Sequence, residues 1–238
     1  MSPFLGEFLG TAVLVLLGDG VVAGVLLAKS KAKDAGWVAV TAGWGLAVMA
    51  GVYTARAAGG PGFLNPVGPL AAVLTNDLPV DRAGGFAAAE MAGAFVGAVL
   101  VWLHYLPHWT ETPDPAAKLG VFCNAPAVRN LPANLLSEVI ATFVLVFVGV
   151  AVVEKEIGRG FVAPVAGMVV WGIGLGLGGP TGYAINPARD LGPRVAHAVL
   201  PIPGKGPSDW GYAWVPVVGP LLGGAAAALL AKAVLLAP

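Results

Sequence analysis

A chain of 238 residues that is 57% hydrophobic and only 11% charged is too apolar for an ordinary soluble domain. Its formal net charge of +0 offers nothing to nucleic acid and no polybasic anchor for a lipid surface. The single cysteine, Cys123, excludes an internal disulfide and a cysteine metal cage. What remains is an integral membrane protein, with room for about six spans of roughly 20 residues and short loops. Gly contributes 35 residues, about twice the usual ~7% share, as close helix packing through small residues requires. Residues 1–6 carry no basic region ahead of the first apolar run, so no cleaved signal peptide is expected.

Taken in order, apolar runs at 4–28 and 37–57 read as the first two spans. A shorter run opens with Asn65-Pro66 and gives a half-helix over 66–75, before a third span at 84–105. A hydrophilic connection, 106–129, rich in Pro and Asp, separates two halves. Spans at 132–153 and 161–178 follow, then a second half-helix at 187–199 and a last span at 212–236. The whole of 1–238 reads as one domain built from two repeats, roughly 1–110 and 130–238.

The repeats can be laid in register. Glu7, Thr11, Leu14, Val15 and Gly18 recur as Glu138, Thr142, Leu145, Val146 and Gly149, a shift of 131 (138 − 7). Trp44-Gly45 recurs as Trp171-Gly172, and Gly93 and Gly97 recur as Gly219 and Gly223. Leu64-Asn65-Pro66 recurs as Ile185-Asn186-Pro187, a shift of 121 (186 − 65). Three spans per half is an odd number, so the halves are expected in opposite orientation, an inverted repeat of the kind that builds transport folds.

The two Asn-Pro steps carry the chemistry. Asn is a strong helix N-cap and Pro is favoured at the first helical position. Capping places the Asn carbonyl oxygen on backbone N–H groups and leaves the side-chain NH2 of Asn65 and Asn186 pointing outward as a donor. Non-helical backbone at this depth is tolerable only where it is buried or lines a wet cavity. Two helix N-termini converging there, with Arg189 one turn along, suit hydroxyls and carbonyls and repel cations.

This pattern resembles the major intrinsic protein family, the aquaporins and glycerol facilitators, whose mark is a pair of Asn-Pro-Ala motifs. Asn186-Pro187-Ala188-Arg189-Asp190 is similar to the glycerol-facilitator branch. The first motif departs, with Val67 and Gly68-Pro69 where the family usually has Ala and then Val-Thr. Val67 is expected to crowd the opposing half-helix tip near Ala188. The resemblance implies an all-α membrane protein of six transmembrane helices and two re-entrant half-helices meeting at the bilayer midplane. It implies a homotetramer in the cell membrane, one pore per chain, conducting glycerol, similar small uncharged solutes and water without a cofactor or metal. It also implies cytoplasmic termini. That puts Lys29, Lys31 and Lys33 outside, against the positive-inside rule, with Arg82, Lys155 and Arg159 inside.

By the same resemblance, Trp44, Gly174, Tyr183 and Arg189 form a selectivity ring. Tyr183 stands where glycerol channels usually carry Phe, and its hydroxyl is expected to make the ring more polar. Gly174 is expected to leave volume, Trp44 and Tyr183 to take CH groups, and Arg189 to donate to hydroxyls. Glu7 and Glu138 occupy equivalent positions and are expected to accept backbone N–H groups of the re-entrant loops, with Glu90 in a similar role. Asp190 is expected to tie down the loop behind Arg189. Asp19 interrupts an apolar run where the family pattern needs no acid. It is either a solvated vestibule residue or a structural hydrogen-bonding group.

Other classes make different demands. A proton-coupled transporter, also built from inverted repeats and broken helices, needs an ionisable relay at the midplane, where two Asn and an Arg stand instead. An enzyme needs a catalytic constellation that these residues do not assemble. Within the channel class, lactic acid in its neutral form is the alternative solute.

Overall fold

A computed structural model describes residues 2–150 and 159–236, all helix, turn or coil among the described residues. The first half runs through α1 (Pro3–Leu26), α2 (Trp37–Ala57), the short α3 (Val67–Leu74) and α4 (Val80–His104). The connection carries α5 (Leu106–Glu111) and α6 (Pro115–Phe122). The second half repeats the order with α7 (Leu131–Val148), α8 (Val162–Leu177), the short α9 (Pro187–Val199) and α10 (Val215–Val234). Residues 151–153 of the expected fourth span, and Lys155, lie outside the described residues. Among the described residues five helices are long and apolar enough to cross a membrane, and α8, at 16 residues, is shorter.

Packing follows the repeat. In one half α1 lies against α2 and α4, and in the other α7 lies against α8 and α10. Small residues set the approach. A Cβ on Gly93 of α4 would collide with the Phe8 carbonyl of α1, and one on Gly219 of α10 would stand 2.6 Å from Glu138 Cβ of α7. No side chain fits either crossing, which is why glycine recurs at matching positions. The halves interlock through their short helices, since α9 packs on α4 and α3 packs on α10.

Each short helix points its N-terminus inward and has its other end capped by a lysine. Lys232 Nζ of α10 donates to the Leu74 carbonyl at 2.8 Å, at the end of α3. Lys205 Nζ donates to the carbonyls of His197, Ala198 and Leu200 at 2.6, 2.7 and 2.7 Å, at the end of α9. A cation there satisfies unpaired carbonyls and opposes the negative end of the helix dipole.

The connection departs from the sequence reading. Instead of a plain hydrophilic loop it folds two short helices back onto the bundle. Trp109 is buried and stacks on Phe122 at 5.5 Å, and Thr112 Oγ1 accepts the Ala28 N–H at 2.9 Å. The signal was present: Asp114 caps α6 by accepting the Ala116 N–H at 2.8 Å, with Pro115 at the first helical position.

Candidate functional site

The lumen is built where the two re-entrant loops cross. Leu64 (φ 57°) and Ile185 (φ 44°), each just ahead of an Asn-Pro step, both lie in the left-handed region, which costs a branched residue about 1 kcal/mol or more. Their surroundings hold them there. Glu7 Oε2 accepts the Leu64 N–H at 2.7 Å, and its Oε1 accepts those of Gly62 and Phe63 at 2.5 and 3.2 Å. Glu138 Oε2 accepts the Ile185 N–H at 2.9 Å, while its Oε1 accepts from Ala184 N and the Thr181 hydroxyl at 3.0 and 2.6 Å. Both carboxylates are buried in spans, where three hydrogen bonds each offset their desolvation.

The carbonyls of the same two residues face the opposite half. Asn186 Nδ2 donates to the Leu64 carbonyl at 2.7 Å, and Asn65 Nδ2 donates to the Ile185 carbonyl at 2.8 Å. Each Asn carbonyl oxygen caps its own helix. Asn65 Oδ1 accepts the Val67 N–H at 3.0 Å, and Asn186 Oδ1 accepts those of Ala188 and Arg189 at 3.0 and 3.3 Å. The sequence reading left the whole NH2 free. In the structure one N–H of each amide locks the halves together, and the second takes no part in that lock.

Two cavities share three side chains. The larger, about 820 Å³, is lined by Asn65, Asn186, Trp44, Tyr183 and Arg189 among others. The smaller, about 320 Å³, opens among Trp37, Val40, Cys123 and Asn124, and is again lined by Trp44, Tyr183 and Arg189. Trp44, Tyr183 and Arg189 therefore stand where the cavities meet. The Arg189 guanidinium carbon lies 4.0 Å from the centre of the Trp44 ring, a cation–π contact.

Gly174 and Tyr183 differ from expectation. A Cβ at Gly174 would stand 2.7 Å from Tyr183 Cζ and 2.8 Å from Thr41 Cγ2. The volume glycine leaves is thus filled by the Tyr183 ring, and Gly174 lines neither cavity. The Tyr183 hydroxyl is buried without a hydrogen-bond partner. It offers the lumen ring carbon, and the ring is not made more polar.

The charged groups behind the lumen are also specific. Asp190 accepts from Arg194 Nε and Nη2 at 2.8 and 3.0 Å, and from the Asn124 N–H at 2.7 Å. Arg194, which sequence reasoning passed over, donates onward to the carbonyls of Ser208 and Asn124 at 2.8 and 3.0 Å. Its spacing of four from Asp190 on one helix was the available signal. Asp190 thus anchors the central connection to α9, next to Arg189 in the chain.

Asp19 does not face a vestibule. It is 0% exposed, with Oδ1 3.7 Å from Arg189 Nη1. Glu90 is buried beside Glu7 and the Asn65 backbone. Val67 does not crowd Ala188. Its side chain packs with Val146, Ala227 and Ala228, into space left open by Gly224 of α10, where any Cβ would collide with Val67 Cγ1.

Apolar spans wrapped round two short helices, whose N-termini meet across a lumen with amide and guanidinium donors at its middle, make a membrane channel. The family model described as major intrinsic protein matches residues 1–231, and the chain belongs to that family. It is 53% identical over 224 residues to a probable glycerol uptake facilitator protein of Thermotoga maritima, covering 94% of this chain and 95% of that one. It is 55% identical over 226 residues to glycerol uptake facilitator protein 3 of Lactiplantibacillus plantarum, covering 95% and 94%. Among solved structures, the aquaglyceroporin from Plasmodium falciparum superimposes with a TM-score of 0.86 at 28% identity, covering 98% of this chain and 95% of that one.

Proposed function

We propose that the protein is a passive channel of the cell membrane for glycerol and similar small uncharged solutes, with water alongside. The observation that carries this is the two-sided constriction. Trp44 and Tyr183 present ring carbon, while Arg189 and the free N–H groups of Asn65 and Asn186 present donors. A polyol has the same division, a carbon chain along one edge and hydroxyls along the other. Weak, repeated hydrogen bonding lets such a solute shed water without being trapped. The relatives named as glycerol uptake facilitators support the choice of solute.

Cation exclusion follows from the same donors, since two helix N-termini and a guanidinium face any ion at the midplane. The channel is read as a homotetramer with one pore per chain, as in the family, with no catalytic step. Stopped-flow light scattering on proteoliposomes tests the reading with water, glycerol, urea and lactic acid at two pH values. Glycerol flux without current under an imposed potential is expected. Lactic acid flux exceeding that of glycerol would reassign the solute, and a glycerol-dependent proton current would replace the channel with a coupled transporter.

A further inference from the structure

Two of the charges beside the constriction balance each other and leave a third to be explained. Asp190 and Arg194 are both 0% exposed and pair through two hydrogen bonds, so each has its counter-charge on α9 itself. Arg189, on the same helix, has no such neighbour. Its nearest backbone acceptor is the Phe122 carbonyl, 3.5 Å from Nη1, at the weak limit of a hydrogen bond. The other group facing it is Asp19 of α1, Oδ1 at 3.7 Å from the same nitrogen. Neither Asp19 oxygen has a hydrogen-bond partner among the described residues. A carboxyl group set this deep in a span without hydrogen bonds is costly unless a cation compensates it, and Arg189 is the cation in reach.

A second observation concerns the residue before it. A Cβ at Gly18 would collide with the six-membered ring of Trp44, so Gly18 is the seat on which that ring lies. The other partner of the Trp44 ring is the Arg189 guanidinium, 4.0 Å from its centre. One step of α1, Gly18-Asp19, therefore places two of the three side chains that line both cavities.

We propose that Asp19 is a positioning residue that determines specificity, by holding the Arg189 guanidinium against Trp44 and away from the middle of the lumen, so that the constriction stays wide enough for a carbon chain. Arg189 reaches the lumen from α9 on a long flexible side chain, and a guanidinium without its counter-charge turns toward the next available oxygens. Those are water and solute in the pore. The lumen then narrows and binds oxygen more tightly at one point, which hinders a polyol more than a water molecule. Solutes are ranked by size as a result, with a four-carbon polyol affected more than glycerol.

This rests on the reading of the lumen as a polyol and water path, and the two fail differently. Wild-type protein that passes water but no glycerol overturns that reading, whereas the present proposal concerns the ratio of the two fluxes between variants. Proteoliposomes carrying wild type, Asp19→Asn, Arg189→Gln and the double variant are compared for glycerol and water flux. Asp19→Asn is expected to lower the glycerol-to-water ratio about tenfold, and erythritol further. Adding it to Arg189→Gln is expected to change the ratio no more. Loss of correctly folded channels lowers both fluxes together and leaves the ratio alone, so the ratio separates positioning from simple structural damage. A folded Asp19→Asn channel with the wild-type ratio, or one that shifts the ratio equally in the Arg189→Gln background, overturns the proposal. Should Asp19→Asn fail to fold, thermal unfolding of the other two decides. A double variant that melts with Arg189→Gln supports action through Arg189, and one that fails like Asp19→Asn overturns it.

Discussion

Tyr183 and Val67 both line the larger cavity, and each is set there by a contact with a glycine on a neighbouring helix. The Tyr183 hydroxyl is buried and unpartnered, a cost of about 1–3 kcal/mol with no return in lumen polarity. Tyr183→Phe should therefore raise the melting point in detergent, by about 1 kcal/mol of stability, and leave glycerol flux unchanged. A fall in glycerol flux with water flux intact would mean that the hydroxyl meets the solute after all. Val67→Ala removes two methyl groups facing Gly224 and should cost about 1.5 kcal/mol in stability without changing flux. A rise in glycerol flux in folded Val67→Ala protein would show that this side chain limits the width of the lumen. The caps made by Asn65 and Asn186 and the loop N–H groups accepted by Glu7 and Glu138 were legible because each is an unusual residue type at a repeated spacing in an apolar run. The Gly174–Tyr183 and Val67–Gly224 contacts were not, because each depends on where two helices cross. Tyr183 depends further on a backbone angle (φ 43°) that residue type does not announce.

The short helices α3 and α9 work as elements with two finished ends. At the inner end an Asn caps the backbone and helps form the lumen; at the outer end a lysine takes the carbonyls. Helices of 8 and 13 residues are too short to hold together by propensity alone. Lys205→Met keeps the chain length and removes the ammonium from three carbonyls, so it should destabilise the protein by about 1 kcal/mol. Glycerol flux per folded channel should stay the same. Thermal unfolding and flux on the same preparation check both, and unchanged stability would show the three bonds contribute nothing net. The inner ends could be read from Asn-Pro in the sequence. The lysine caps could not, since Lys232 comes from another helix 158 residues beyond Leu74. The helices of the connection were hidden by its polar composition, although Asp114-Pro115 marked the start of one.

Over the whole molecule, the two cavities read as one path whose smaller mouth opens beside the connection. Cys123, 3% exposed, lines that mouth and is the chain's one cysteine. Burial, with Asp190 nearby, pushes its thiol well above the ordinary range. The thiolate is the reacting form, so at neutral pH less of it is present than in a free cysteine, and alkylation should be slow and should quicken as pH rises. Once attached, a bulky maleimide should block glycerol and water alike, and Cys123→Ser should abolish the block. Full labelling with undiminished flux would show that the smaller cavity is not on the conducting path. The paired halves, the membrane spans and the crossing point were all visible as sequence repeats. The contact between Asp19 and Arg189 was less so, because the two come from helices in opposite halves of the chain.

The exchange of amides between halves also fixes an order of events during synthesis. The Leu64 carbonyl finds its donor in Asn186, 122 residues later, and the Ile185 carbonyl finds its own in Asn65. While the ribosome is still making the second half, the first re-entrant loop lacks the bond that helps keep Leu64 in its left-handed turn. Each loop is braced by the carboxylate of its own half, yet neither makes its full set of bonds before the other arrives. A truncated chain that stalls before Asn186 lacks one wall of the lumen and the lock on the other, and so has no crossing at which a path could be lined.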